Sequence, residues 1–285
     1  MERVIELDSG IRLWTESRGD PSRPALLLVM GAGASGLTWP EALVDALADR
    51  YFVIRYDHRD TGRSTWAYEQ RPYRLAELAD DALAVLDAHG VRCAHLVGMS
   101  MGGVLVQLLL ADRPERVTRA TLFGTCALSE APLVEPDGTR IPAAELPGPD
   151  ARLLEFWARP MADHGPEAEL ERRVEHWRLL NGDQLPFHAE EFRALERRII
   201  RHTGHHRPST AHALADQSGL VRTEALACNT VPVTVVEAPA DPVWRPAHAR
   251  HLGQVIAGAR VVRVPGMGHA ISRECVGALT AAICG

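Results

Sequence analysis

The feature that most constrains the fold is a glycine-flanked serine between a strand pattern and a helix pattern. Residues 94–97 are strand-like, the pentapeptide G-M-S-M-G follows at 98–102, and residues 103–110 form an apolar run long enough for a buried helix. A serine in so tight a turn adopts a strained backbone, which needs small neighbours. The turn lifts the hydroxyl of Ser100 to its tip, where helical N–H groups point at any negative charge that forms. The pattern predicts a nucleophile, although a glycine-flanked serine without such flanks is as often an ordinary turn.

Strand-like and helix-like segments alternate on both sides of a long interruption. Prolines crowd residues 131–149, and residues 150–219 show only helical periodicity. Alternation of this kind predicts an α/β fold with a mostly parallel sheet covered by helices on both faces. We therefore expect an α/β core of residues 1–130 and 220–285 with an all-helical cap, residues 131–219. Expected strands are 4–7, 12–16, 25–30, 52–56, 94–97, 121–123, 231–236 and 261–264; expected helices are 39–48, 75–88, 103–110, 151–159, 167–180, 190–202, 246–256 and one from 273.

Composition narrows the partners and the chemistry. The formal net charge of −6 argues against nucleic-acid binding, which needs clustered positive charge. No apolar run approaches the length of a membrane span, and the N-terminus lacks a signal-peptide pattern, so a cytoplasmic protein is expected. The five cysteines are odd in number and widely spaced, which favours free thiols over a disulfide framework or a zinc site. The chain has no lysine, which excludes Schiff-base chemistry on lysine.

Two partners for the serine follow later strands of the predicted sheet. Asp241 lies in the loop after the strand that ends near 237, and His269 closes the turn P-G-M-G-H after the strand that ends at 264. Sites in open α/β sheets gather at these carboxyl ends of the strands. The sequence therefore predicts a triad in the chain order Ser100, Asp241, His269, in which histidine moves the proton and aspartate holds its tautomer.

Other acids and histidines compete for these roles. Glu237 would still lie inside its strand, Asp216 belongs to the cap, and an aspartate before proline is also typical of a simple turn. Among the 13 histidines, His248 and His251 are expected to face solvent. The cluster of His202, His205 and His206 lies at a helix end and is expected to be solvated; no metal is predicted there.

An oxyanion hole needs two backbone N–H donors close to the developing charge. The amide of Met101, directly after the serine, is one candidate. The second is expected from the loop M-G-A-G at 30–33, where Ala32 is the best candidate. That loop is too short and too unlike G-x-G-x-x-G to hold a dinucleotide, and its glycines are otherwise explained by a tight turn.

With the motifs M-G at 30–31, D-H-R-D-T-G-R-S at 57–64, the pentapeptide and G-M-G-H at 266–269, the chain resembles the α/β-hydrolases over essentially its whole length. Within that group the chain is similar to the aclacinomycin methylesterases of anthracycline biosynthesis. The similarity is carried by residues 26–31, 54–64 and 177–180, which resemble segments of those enzymes. The resemblance implies a serine hydrolase that removes a methyl ester from a polyketide, with water as co-substrate and without a cofactor. The family roles carry over to Ser100, Asp241 and His269, with Met101 and Ala32 as backbone donors.

A flat polycyclic acyl group would need a long apolar slot between cap and core. Six aromatic residues are candidates for its walls, although helical aromatics are more often core packing. They are Trp39, Trp157, Trp177, Phe187, Phe192 and Trp244. The cluster 57–60 is expected to act as salt-bridge scaffolding beneath the site.

Three functions stay open on the sequence. The first is an esterase that works through an acyl-enzyme. The second is a lyase or decarboxylase in the same pocket, with His269 as acid–base and no acyl-enzyme, and the third is a non-catalytic binding protein on the same fold. Either a monomer or a homodimer is compatible with the sequence.

Overall fold

A computed structural model describes residues 1–160 and 165–285. The strands are β1 (Glu2–Glu6), β2 (Arg12–Arg18), β3 (Ala25–Val29), β4 (Phe52–Tyr56), β5 (Ala94–Met99), β6 (Val117–Phe123), β7 (Leu133–Val134), β8 (Arg140–Ile141), β9 (Val233–Glu237) and β10 (Arg260–Arg263). The helices are α1 (Glu41–Ala48), α2 (Glu77–Ala88), α3 (Met101–Asp112), α4 (Ala151–Trp157), α5 (Pro166–Asn181), α6 (Ala189–Thr203), α7 (Ala211–Leu214), α8 (Thr223–Ala227), α9 (Pro246–Val255) and α10 (Val276–Cys284).

Eight strands form one sheet in the order β1-β2-β4-β3-β5-β6-β9-β10. β2 runs antiparallel to β1 and β4, whereas every pair from β4 to β10 is parallel. The central strands β3, β4 and β5 are mostly apolar, with Arg55 and His95 as exceptions, and almost every residue is buried, as expected for parallel strands covered on both faces. The predicted fold class is confirmed, and the carboxyl ends of β3, β5, β6, β9 and β10 meet at one edge of the sheet.

Alternate residues of each strand enter two separate apolar layers. Leu27 and Leu96 pack with helices α2, α3 and α9 on one face. Leu28 and Val97 pack with α1 and α10 on the other. Each layer fixes the sheet against helices from distant parts of the chain, so the strand ends that carry the candidate site are held on both sides.

Residues 131–219, the predicted cap and called the cap below, contribute no strand to the eight-stranded sheet in their described part, and they contact the loop after β10 at the carboxyl edge of that sheet. Helix α5 meets α6 and α4, and α6 reaches the core through Arg198, which donates to the Leu37 carbonyl and to Glu41 at 2.7 Å each. Residues 131–149, expected as a loop, include the small antiparallel hairpin β7–β8. The hairpin is held by Gln254 of α9, which bonds both the amide and the carbonyl of Val134.

Three histidines lie in other environments than the sequence predicted. His202, on α6 of the cap, has a side chain that is 8% exposed and bonds the Asp57 carboxylate at 2.7 Å. His248 and His251 are buried on the inner face of α9 and bond the carbonyls of Pro147 and Ala131. The expectation of solvent-facing histidines is therefore wrong at these positions, because each imidazole satisfies a buried polar group of a neighbouring loop.

No helix in the described residues combines the length and the apolar character needed to cross a membrane.

Candidate active site

Ser100 occupies the turn between β5 and α3 in a strained conformation. Its φ of 55° and ψ of −122° lie outside the regions that L-residues ordinarily adopt. The close packing that enforces this turn is visible at its glycines. A Cβ on Gly98 would lie 2.5 Å from the Gly102 carbonyl oxygen, and one on Gly102 would lie 2.0 Å from the Val29 carbonyl oxygen. Only glycine fits at either position, so the sequence G-x-S-x-G is dictated by the geometry that presents the serine.

Asp241 and His269 form a buried hydrogen-bonded pair. The Nδ1–H of His269 donates to Asp241 Oδ2 at 2.9 Å. The other carboxylate oxygen of Asp241 accepts the amides of Val243 and Trp244, at 2.8 and 2.9 Å. The carboxylate is thus held by backbone donors, and the imidazole is held in the tautomer whose Nε2 is free to accept a proton.

The end of β6 brings the serine to the same edge as this pair. The amide of Ser100 donates to the Phe123 carbonyl at 3.0 Å. At the next residue, Gly124, a Cβ would lie 3.1 Å from His269 Nδ1 and 3.3 Å from Asp241 Oδ2. One dipeptide therefore contacts all three predicted triad residues, which come from loops more than 25 residues apart in sequence.

The loop after β3 lies against the serine side chain. A Cβ on Gly31 would be 3.1 Å from Ser100 Cβ and 3.6 Å from its Oγ. Residues Gly31 to Ala34 form a turn in which Gly33 has a φ of +68°, a conformation that favours glycine. Within the described residues, neither the Ala32 amide nor the Met101 amide at the first position of α3 has a recorded acceptor. Both are therefore available to bind an oxyanion on the serine.

The cap is hydrogen-bonded directly to the loop that carries His269. The carbonyl of Leu180, near the end of α5, accepts the amides of His269 and Ala270 at 2.8 and 3.1 Å. A Cβ on Gly268 would lie 2.1 Å from the Asn181 carbonyl oxygen, so the helix end and the histidine loop are in closest contact. The backbone of the histidine is held by the cap as well as by the sheet.

The six aromatic candidates do not form one surface. Trp39 is completely buried and packs edge-on against Phe123, so the structure does not support a ligand contact for it. Trp244 is partly buried and packs on His248. Phe187 stacks on Phe192, which in turn stacks on Trp177, with ring centroids 5.0 and 5.3 Å apart.

Trp177 and Phe192 border a cavity of about 400 Å³ between α1, α6 and the start of α10. Its lining is mostly apolar. None of the predicted triad residues lines it, but Met99 and Ile271, close neighbours of Ser100 and His269 in sequence, do. The lining residues are Thr38, Pro40, Glu41, Ala42, Met99, Trp177, His188, Glu191, Phe192, Ala194, Leu195, Arg198, Ile271, Ser272, Arg273 and Val276.

Sequence reasoning missed His176, a cap residue close enough to His269 for the two imidazoles to interact electrostatically. Its Nε2 accepts the indole N–H of Trp157 at 2.9 Å, and its ring stacks on Phe156. Burial, followed by the charges of Arg172 and His269, lowers the pKa of His176 to about 4. The imidazole is therefore neutral at physiological pH. No sequence motif marks this residue, because its partners come from a different helix of the cap.

The scaffolding predicted at 57–60 is present. Arg59 donates two hydrogen bonds to the buried Asp81 carboxylate, at 2.6 and 2.7 Å. The Asp57 carboxylate accepts hydrogen bonds from four groups: the Ser35 hydroxyl, the Gly36 amide, the Arg63 amide and the His202 imidazole. His58 connects this cluster to the loop at 30–33, because its Nε2 bonds the Met30 carbonyl at 3.0 Å. Within the described ranges, no group of three or more metal-binding side chains is close enough to hold a metal ion.

Comparison with known proteins decides the family. A family model described as the alpha/beta hydrolase fold matches residues 24–274. The chain belongs to the α/β hydrolase fold family.

Individual members of the family resemble this hydrolase over its full length. It is 43% identical to rhodomycin D methylesterase DauP of Streptomyces sp. (strain C5), over 99% of this chain and 96% of the relative. It is 42% identical, with the same coverage, to rhodomycin D methylesterase DnrP of Streptomyces peucetius. Among solved structures, a hydrolase from Pseudomonas aeruginosa PA01 matches with a TM-score of 0.70 and 28% identity, covering 99% of this chain and 96% of that one.

Proposed function

We propose that this α/β hydrolase is a methylesterase that hydrolyses the methyl ester of an anthracycline-type polyketide through an acyl-enzyme. The observation that carries the proposal is the hydrogen-bonded pair of Asp241 and His269 at the strand edge that also presents the strained Ser100. The rhodomycin D methylesterases to which the chain is similar throughout support the substrate class and the reaction. They favour the esterase over the lyase and the binding protein that the sequence left open.

The proposed reaction begins with attack of Ser100 Oγ on the ester carbonyl, while His269 Nε2 takes the hydroxyl proton. The negative oxygen of the tetrahedral intermediate accepts the amides of Met101 and Ala32. Collapse of the intermediate expels methoxide, which takes the proton from His269 and leaves as methanol. Water then attacks the acyl-enzyme with His269 as base again, and the free carboxylic acid is released. Asp241 keeps the imidazole oriented and stabilises its charged form throughout.

We propose that residues 131–219 act as a cap that closes one side of the substrate site. Support comes from the Leu180 carbonyl, which bonds the loop of His269, and from the Asp150 amide, which donates to the Pro242 carbonyl next to Asp241 at 2.8 Å. The cavity beside Trp177 and Phe192 is large and apolar enough to receive a polycyclic group, and we assign it that role.

All five cysteines are free thiols, as is usual in a reducing compartment. We propose on this basis that the enzyme acts in the cytoplasm. We propose separately that it is a monomer or a homodimer. Cell fractionation beside a cytoplasmic marker and light scattering of the purified protein test these two statements.

Methanol release from a panel of polyketide methyl esters, with and without sugars, tests the proposed reaction. We expect stoichiometric methanol and free acid from at least one anthracycline-type ester, and loss of both with Ser100→Ala. Release of carbon dioxide without methanol, or full turnover by Ser100→Ala, would reject it in favour of the lyase.

A further inference from the structure

The turn that carries the Ala32 amide is held by an imidazole from the cap. His212, on α7, lies far from the turn in sequence and is buried beside it. Its Nδ1 accepts the amide N–H of Gly33 at 2.9 Å. The direct bond across the turn, from the Ala34 amide to the Gly31 carbonyl, is long at 3.4 Å. The bond to His212 is therefore the stronger restraint on this loop.

The second nitrogen of His212 is bonded to a rigid part of the core. Its Nε2–H donates to the Arg59 carbonyl at 2.9 Å. The Arg59 side chain is itself fixed by its two bonds to the buried Asp81 of α2. A connected series of contacts therefore runs from α2 through Arg59 and His212 to Gly33.

Both bonds require one form of the imidazole. Nδ1 must carry a lone pair to accept from Gly33, and Nε2 must carry the proton that it donates to Arg59. Burial lowers the pKa of His212, so the ring is neutral near pH 7. A neutral ring in the Nε2–H tautomer is the form that both partners select.

The bond to Gly33 fixes the central peptide of the turn. In a turn of this kind, the peptide between the second and third residues flips between two orientations, and a positive φ at the third residue marks one of them. Gly33 has that positive φ, and its N–H points at His212. Anchoring this peptide restrains the ψ angle of Ala32 and holds the short loop that carries the Ala32 amide against the core. Without the bond to His212, the loop would depend on packing and on the long bond from Ala34 to Gly31 to keep the Ala32 amide beside the serine.

We propose that His212 is a positioning residue for catalysis: it locks the turn so that the Ala32 amide faces the oxyanion formed on Ser100. The proposal rests on the proposed function for the role of that amide. It also gives the cap a part in the chemistry, since the oxyanion hole is fixed only when α7 is seated on the core.

Substitution of His212 by asparagine or by glutamine distinguishes the contributions of its two hydrogen bonds. In His212→Asn, an amide oxygen near the position of Nδ1 still accepts from Gly33, whereas in His212→Gln the amide reaches the position of Nε2 and bonds Arg59 alone. Both variants lose the ring to a similar degree, so a merely structural role predicts equal damage. His251→Ala is the matched control, because His251 is equally buried and bonds a backbone carbonyl on another loop.

The readout is the rate at which a fluorophosphonate reacts with Ser100, with kcat and KM for a simple aryl ester per titrated site. Phosphonylation places a negative oxygen in the same hole, and it needs no natural substrate. We expect His212→Gln and His212→Ala to lower both rates roughly 10- to 100-fold with little change in KM. His212→Asn should stay within about 3-fold of the wild type, and His251→Ala likewise once only folded sites are counted.

Equal rates for His212→Asn and His212→Gln, or a His212→Ala enzyme as fast as the wild type, would overturn the proposal. Nitrogen-15 spectra of the wild type add a test that needs no variant: the proposal requires the neutral Nε2–H tautomer, and an Nδ1–H or charged ring would reject it. Failure to hydrolyse any methyl ester while the fluorophosphonate pattern holds would reject the proposed function and leave the role of His212 standing.

Discussion

The backbone carbonyl of Leu180 accepts the amide of His269 at 2.8 Å, so a residue of the cap holds the backbone of the proposed general base. His212 and His202 make two further bonds from the cap to loops beneath the site. These bonds join the cap to the loops around the proposed site. Movements of the cap and the geometry of the proposed oxyanion hole are expected to be coupled.

The carboxylate of Asp241 is expected to matter for the tautomer of His269. In Asp241→Asn, the side-chain amide can place an N–H against Nδ1, which favours the tautomer of His269 with its proton on Nε2. In that tautomer Nε2 cannot accept the proton of Ser100. We expect kcat for ester hydrolysis to fall by about 10⁴-fold with KM nearly unchanged, as measured by steady-state methanol release. Glu237→Gln is the control for the other acid of this strand end and should keep most of the activity. A loss in Glu237→Gln as large as that in Asp241→Asn would contradict the assignment.

The cavity beside Trp177 is expected to bind the polycyclic acyl group of a large substrate, and a small ester such as 4-nitrophenyl acetate should not need it. Ala194 lines the cavity and is exposed, so Ala194→Trp fills it without disturbing the core. We expect KM for a polycyclic methyl ester to rise by about 10-fold or more, while kcat/KM for 4-nitrophenyl acetate stays within about 2-fold. Ala168→Trp, at an exposed position of α5 outside the cavity, should affect neither substrate. An unchanged KM for the polycyclic ester in Ala194→Trp would show that the acyl group binds elsewhere.

The bond between His202 and Asp57 is expected to stabilise the fold. Removing the imidazole in His202→Ala leaves one oxygen of a fully buried carboxylate with the Arg63 amide alone. We expect a loss of about 2 kcal/mol in the free energy of unfolding, measured with urea. Arg201→Ala changes the exposed neighbour on the same helix and should cost less than about 0.5 kcal/mol. Equal stability of the two variants would mean that the His202–Asp57 bond contributes nothing.

Buried neutral histidines are expected to make the fold sensitive to acid. Burial and the neighbouring His212 lower the pKa of His58 to about 3. Burial and the charge of Arg119 lower the pKa of His95 to about 3. In the unfolded chain each would titrate near 6.5, so between about pH 3 and 6.5 the unfolded state binds more protons than the folded state. Stability is therefore complete above about pH 6.5 and is lost as the pH falls, by roughly 1.4 kcal/mol per pH unit for each histidine.

Urea unfolding between pH 5 and 7 measures this slope. His95→Gln keeps a donor near Thr121, which His95 bonds at 2.9 Å, and removes one titrating group. In this variant the unfolding free energy should fall less steeply with decreasing pH, by roughly 1.4 kcal/mol per pH unit, which is the slope expected for one proton. Stability that rises toward pH 5 in the wild type, or the same slope in both proteins, would contradict the account.

Most of the fold was predictable because the strands of this sheet are short apolar runs that end in glycine, proline or polar turns. β4 was predicted with its bounds at 52–56, β3 differs from prediction by one residue at its end, and α5 and α6 differ by one residue at each end. The position of β4 between β2 and β3 was not predicted, since local pattern does not encode which strands pair. The hairpin β7–β8 was missed because its strands are two residues long and depend on Gln254.

The candidate site was predictable to the extent that backbone strain leaves a trace in sequence. The glycines at 98 and 102 indicate the tight turn at Ser100, and the loops of Asp241 and His269 follow strands that the apolar runs of the sequence identify. The histidines of the cap were not predictable, because their roles depend on packing between segments far apart in the chain. His202 and His212 differ from surface histidines only in what the fold places against them.

Trapping the acyl-enzyme tests the central claim most directly. The wild type is mixed with excess methyl ester, quenched in acid within the first turnovers, and digested for mass spectrometry. We predict that the peptide containing Ser100 carries the mass of the acyl group, formed together with a burst of methanol, and that the adduct is absent in Ser100→Ala. Steady methanol release with no adduct on Ser100 at any quench time, or an adduct on another residue, would contradict the account.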